Sequence, residues 1–211
     1  MKLFLSSENL GNYPDVFTKM VGPNKSVLYI GNAKDDVSST VRVAKVAEHR
    51  QQFEGLGLKF SELDLRQYFD KKVPADVLDG YGMVWCSGGN TFLLRSALQQ
   101  SGLDKLLIKS VQSGHIAYGG SSAGSVLTGP TLKGVEHGDD PLAVQSVYGL
   151  DAVWDGLGIV TFVCVPHCES GWFGVSAQKM IKSLQKNNVP FVALKDGQVY
   201  LVDGNGGQLL V

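Results

Sequence analysis

His115-Ile116-Ala117-Tyr118-Gly119-Gly120-Ser121-Ser122-Ala123-Gly124-Ser125-Val126-Leu127 runs from a short apolar stretch into a cluster of small residues and back into apolar sequence. Its apolar residues are continuous rather than alternating with polar ones, which suits a strand buried on both faces, as in a parallel sheet. Leu3-Phe4-Leu5, Val27-Leu28-Tyr29-Ile30 and Met83-Val84-Trp85 read the same way, each bounded by Gly, Ser or a charged residue. Between these runs lie segments with helical spacing. One carries Val41, Val43, Ala44, Val46 and Ala47 ahead of Gly55; others carry Phe92 to Leu98 and Leu103 to Val111, stopping near Gly102 and Gly114. Alternating strand and helix predict a doubly wound, mostly parallel α/β sheet in one domain over residues 1–211.

Beyond this alternation the pattern changes. Gly171 to Lys186 predicts one more helix. Phe191–Leu194, Val199–Val202 and Leu209–Val211 follow, separated by Asp196-Gly197 and Asp203-Gly204-Asn205-Gly206-Gly207. Asp-Gly and Asn-Gly pairs favour hairpins, so the expectation is a C-terminal β-meander. The chain has 19 Lys+Arg against 20 Asp+Glu and no long apolar run. That balance offers no broad attraction to nucleic acid or an anionic membrane, and the short apolar N-terminus is no signal peptide, so a soluble cytoplasmic protein is expected. Three cysteines, Cys86, Cys164 and Cys168, form no disulfide framework. With His167 they lack the ligand set of a structural zinc site, and neither a metal nor an organic cofactor is expected.

The chemistry centres on Gly120-Ser121-Ser122-Ala123-Gly124. A strand, a sharp turn and small neighbours two residues either side of a serine are what a nucleophile elbow requires, with Ser122 in the nucleophile slot. A bland alternative is an anion-binding strand-to-helix turn in a non-catalytic domain. A serine nucleophile needs a base. Of the four histidines, His49 reads as a solvated helix residue, His115 begins a core strand, and His137 lies in a polar loop. His167 follows the apolar Phe162–Val165 run and Pro166, at a strand end where α/β sheets assemble their sites. An orienting carboxylate should complete the set. Glu136, Asp139, Asp140, Asp155 and Glu169 are all available, and spacing does not choose among them. The Ala123 amide and the loop Ser87-Gly88-Gly89-Asn90 are candidate oxyanion donors.

Together, Gly88-Gly89-Asn90-Thr91-Phe92-x-Leu94, Gly120-x-Ser122-Ala123-Gly124, Gly156-Leu157-Gly158 and Pro166-His167 resemble the peptidase E and cyanophycinase family of serine peptidases. The resemblance implies a flavodoxin-like, three-layer fold related to class I glutamine amidotransferase domains. It implies Ser122 as nucleophile, His167 as base, and Gly88 or Gly89 beside Ala123 at the oxyanion. It also puts Asp139 of Gly138-Asp139-Asp140-Pro141 in the acid slot, with Glu136 and Asp140 as alternatives, and Asn90 and Lys133 at the substrate. The expected partner is a short peptide, cleaved by a monomer or homodimer. The family's aspartate preference rests on basic residues, one of which Lys133 would replace. A second arginine is missing from the helix after His167, which has only Lys179 and Lys182 over Gly171–Leu184, so weak activity on Asp-X dipeptides is expected.

Overall fold

The computed structural model describes residues 1–204 and 206–211. In chain order the elements are β1 (Leu3–Ser6), α1 (Pro14–Val21), β2 (Ser26–Ile30), α2 (Ser39–Gly55), β3 (Lys59–Glu62), β4 (Met83–Cys86), α3 (Thr91–Ser101) and α4 (Leu103–Gln112). There follow β5 (Ala117–Ser121), α5 (Ala123–Val126), α6 (Leu142–Tyr148), β6 (Val163–Val165), α7 (Gly174–Lys186), β7 (Phe191–Ala193), β8 (Val199–Asp203) and β9 (Gly206–Leu210).

The main sheet has the strand order β3-β2-β4-β5-β1-β8-β9. Its first five strands are parallel, and β8 and β9 add an antiparallel border beyond β1. Every residue of β1, β4 and β5 is buried, which explains their unbroken apolar or small-residue sequences. Alternate residues feed opposite layers. Leu3, Leu5, Val84 and Tyr118 pack with Leu94, Leu98, Leu107 and Val111 of α3 and α4. Phe4, Val27, Met83 and Trp85 pack with Phe17 of α1 and Val46 and Phe53 of α2. The Trp85 ring meets Phe17 and Phe53 edge-on at 5.2 and 5.6 Å. Each such side chain contributes roughly 1.5–3 kcal/mol on burial.

Three details depart from the sequence expectations. The buried stripe of α2 is Arg42, Val46, His49 and Phe53, a clean helical spacing, while Val41 and Val43 face solvent. His49 is therefore not solvated: it is buried, its Nδ1 lies 2.8 Å from the Lys45 carbonyl, and burial lowers its pKa. Lys59-Phe60-Ser61-Glu62 forms an edge strand although only Phe60 of the four is buried. At the C-terminus, β8 and β9 pair antiparallel as expected, and Asn205 lies outside the described residues. The preceding strand β7 does not join it. It pairs in parallel with β6, Val163 opposite Phe191 and Val165 opposite Ala193, in a separate two-stranded sheet. Val163 and Val165 pack with Met180 and Leu184 of α7 and with Phe92 and Leu93 of α3. Among the described residues no helix is long and apolar enough to cross a membrane.

Candidate active site

The carboxyl ends of β1, β2, β4 and β5 converge on one edge of the sheet, where open α/β folds place their sites. Ser121 ends β5, and Ser122 turns the chain at φ 51° and ψ −112°, conformations a non-glycine residue seldom adopts. The turn survives because its amide donates to the Ser6 carbonyl at 3.1 Å and its own carbonyl accepts from Ser125 and Val126. The flanking small residues are structural necessities. A Cβ on Gly124 would sit 2.2 Å from the Cys86 carbonyl oxygen, and one on Gly120 would sit 2.5 Å from the Gly124 carbonyl group.

His167 arrives from the end of β6 with φ 58°, and its ring is almost fully buried. Nε2 lies 2.9 Å from the Ser122 hydroxyl, and Nδ1 lies 2.6 Å from Asp196 Oδ1. A carboxylate only accepts, so the Nδ1 proton is donated to Asp196 and Nε2 is left to accept from Ser122. The Ser7 hydroxyl donates to the same Asp196 oxygen at 2.8 Å and accepts from the His167 amide at 2.8 Å, fixing the carboxylate and the imidazole to one another. Trp172 and Phe173 cover the imidazole, with ring centroids 4.6 and 5.4 Å away.

The carboxylate on His167 is thus Asp196, and not Asp139, Glu136 or Asp140. Asp139 is occupied at the start of α3, where Oδ2 accepts from the Thr91 amide at 2.8 Å and the Thr91 hydroxyl at 2.5 Å. Burial raises its pKa despite these donors. Glu136 accepts from the Gly134 amide at 2.6 Å, and Asp140 from the Leu142 amide at 2.9 Å, both near the surface. Asp196 went unrecognised because Asp-Gly reads as a hairpin turn. The parallel pairing of β6 with β7 instead carries residues 167 and 196 to the same end of the small sheet, where Cys168 donates to the Leu194 carbonyl at 2.9 Å.

Gly88 lies against the serine: a Cβ built on it falls 3.7 Å from the Ser122 hydroxyl oxygen. Among the described residues, no acceptor in the protein takes the amides of Gly88, Gly89 or Ala123, so all three are free for a ligand. Asn90 has a different occupation from the expected substrate contact. Its side-chain oxygen caps α3 by accepting from the Phe92 and Leu93 amides at 2.9 and 3.1 Å, and its side-chain Nδ2 donates to the Asp140 carbonyl at 2.8 Å. A cavity of about 410 Å³ opens onto Ser122 and His167 between Glu8, Asn9, Lys34, Lys45, Glu48 and Trp172. Lys133 is exposed and does not line it. A cleft of the same volume over Gln51 and Gln52 carries no serine or free amide loop, so size alone does not single out the site. Lys34 and Trp172 escaped the sequence reading because neither belongs to a motif; the one available signal was Lys34's position just after a core strand. Cys86, Cys164 and Cys168 are buried and free, and no cluster of metal ligands occurs among the described residues.

Comparison with known proteins agrees with this geometry. The model of peptidase family S51 matches residues 3–210. An uncharacterized peptidase of Listeria innocua is 30% identical over 97% of each chain. Peptidase E of Streptomyces coelicolor is 30% identical over 68% of this chain and 58% of its own. In fold, the chain resembles a crystal structure of a candidate peptidase E from Listeria monocytogenes EGD-e, with a TM-score of 0.77 and 24% identity, covering 99% of this chain and 97% of that one. A family match over nearly the whole length leaves one assignment: the chain belongs to peptidase family S51 and is a serine-type peptidase.

Proposed function

We infer that the protein hydrolyses short peptides through an acyl-enzyme on Ser122. His167 takes the hydroxyl proton as Ser122 attacks the peptide carbonyl and returns it to the leaving amine. Asp196 holds the Nδ1–H tautomer and stabilises the imidazolium between the two transfers. The amides of Gly89 and Ala123 receive the oxyanion. The observation that carries this reading is the unbroken chain of contacts from Ser122 through His167 to Asp196, at 2.9 and 2.6 Å. The cavity of about 410 Å³ favours a di- or tripeptide over a protein loop.

Aspartate selectivity is expected to be weak. Both cavity lysines are engaged, Lys34 with the Gly88 carbonyl and Lys45 with Glu48 at 2.8 Å, and Lys133 stands outside. Neither supplies the bidentate clamp that a dehydrated aspartate side chain needs. Hydrolysis of Ala-Leu and Asp-Leu by the native chain, with Ser122→Ala as control, tests both parts. Turnover of Ala-Leu at least equal to that of Asp-Leu, lost in Ser122→Ala, is the expected result. Turnover that survives Ser122→Ala would overturn the mechanism, and a strong Asp-Leu preference would overturn the specificity.

A further inference from the structure

Lys34 closes the short turn Asn32–Lys34 that follows β2, and it is half-buried on the wall of the Ser122 cavity. Its ammonium donates to the Gly88 carbonyl and lies 3.5 Å from the Ser87 hydroxyl. No carboxylate lies within ion-pair distance of it among the described residues. A partly desolvated ammonium without an ion-paired carboxylate costs stability, so a contribution to stability does not explain it. Its surroundings show what it holds instead. Ala33 and Lys34 clasp the Gly88–Asn90 loop from below: the Asn90 amide donates to the Ala33 carbonyl at 2.7 Å, and Gly89, at φ +141°, passes so close that a Cβ would lie 2.2 Å from that oxygen.

From this clasp we propose that Lys34 is a positioning residue for the oxyanion loop, orienting and polarising the peptide unit between Gly88 and Gly89. In a trans peptide the N–H points opposite to the C=O, so a carbonyl tied to Lys34 sets the direction of the Gly89 amide. A cation on that carbonyl oxygen also draws electron density from the nitrogen and strengthens its N–H as a donor. The inference rests on the acyl-transfer role of Ser122 proposed above.

The charge state of Lys34 supplies a signature. Burial lowers its pKa to about 8, helped by Lys45, against the opposing pull of Asp36 and Glu48. The other titratable groups around it are His49 of α2, Glu8 of the loop after β1, His167 across the cavity, and Asp139 and Asp140 beside Gly89. Deprotonation weakens the hold on the carbonyl, so the rate should fall as pH rises through about 8.

The test is the second-order rate of Ser122 phosphonylation by a fluorophosphonate between pH 6 and 10, since the phosphonyl oxygen occupies the oxyanion position. Lys34→Met should react roughly 10- to 100-fold more slowly at pH 7, less than the ~10²–10³ seen when a donor itself is removed, and should lose the limb near pH 8. Lys34→Arg should recover most of the rate and hold it above pH 9, because a guanidinium keeps its proton there. Lys34→Met reacting at the native rate, or retaining the native limb, overturns the proposal. If Lys34→Met does not fold, the Arg variant decides alone: a limb that moves above pH 9 supports it, and one that stays near 8 overturns it. A native chain that never labels would sink the role of Ser122 as well, whereas native labelling matched by Lys34→Met sinks only that of Lys34.

Discussion

Asp196 carries its charge against a single imidazole nitrogen, and the Ser7 hydroxyl prevents either partner from swinging away. Replacing the acid by Asn keeps the shape but puts a donor against Nδ1–H, which favours the tautomer that leaves Nε2 protonated and unable to accept from Ser122. Asp196→Asn should therefore lower kcat by about 10³–10⁴-fold with little change in melting temperature. Asp139→Ala should do the reverse, costing about 1–2 kcal/mol through the lost acceptor of the Thr91 amide and hydroxyl while leaving kcat within a few-fold. Steady-state rates and thermal melts on the two variants decide between the carboxylates; a larger kcat loss in Asp139→Ala would return the acid role to residue 139. Ser122 and His167 could be read from sequence because both stand directly after apolar strand runs, one in a small-residue turn and one behind Pro166. Asp196 could not, because its role depends on a pairing between strands far apart in sequence.

At the level of elements, the legible parts were those with strong local signals. The buried parallel strands β1, β2, β4 and β5 and the helices α3, α4 and α7 follow from unbroken apolar runs and helical spacing with Gly stops. Three features escaped. The buried stripe of α2 includes Arg42 and His49, polar residues that no apolar pattern selects. The edge strand β3 has one buried residue. The hairpin chemistry of Asp196-Gly197 predicts that β7 pairs with β8, whereas packing against α7 and α3 draws β6 and β7 together. The elbow itself depends on close approach between β4 and α5. Gly124→Ala drives a methyl into the Cys86 carbonyl, a backbone atom that cannot step aside, and should cost about 3 kcal/mol or more. Gly171→Ala, which meets nothing within 4 Å, is the matched control. Urea midpoints that shift equally for the two would show that the tight approach is not real.

Across the whole molecule, buried ionisable groups should make stability fall at alkaline pH. Burial pushes the thiols of Cys86 and Cys164 from 9.0 up to about 12, so the folded chain keeps protons that the unfolded chain releases. Their contribution is complete below pH 9.0 and is lost as pH rises toward 12, at about 1.4 kcal/mol per pH unit for each thiol. Lys34 works in the opposite sense between about 8 and 10.5, but it is one group against two. Tyr29 and Tyr118, also raised by burial, act with the thiols. Urea stability should therefore fall steeply between pH 9.5 and 11, and a flat profile there would mean that the two thiols are not buried as described. The central claim, that this fold exists to activate one serine, is tested most directly by mapping the fluorophosphonate adduct by mass spectrometry. The prediction is a single adduct on the peptide containing Ser122, absent from Ser122→Ala and formed far more slowly in Asp196→Asn. An adduct on any other serine, or undiminished labelling of Ser122→Ala, would contradict the account.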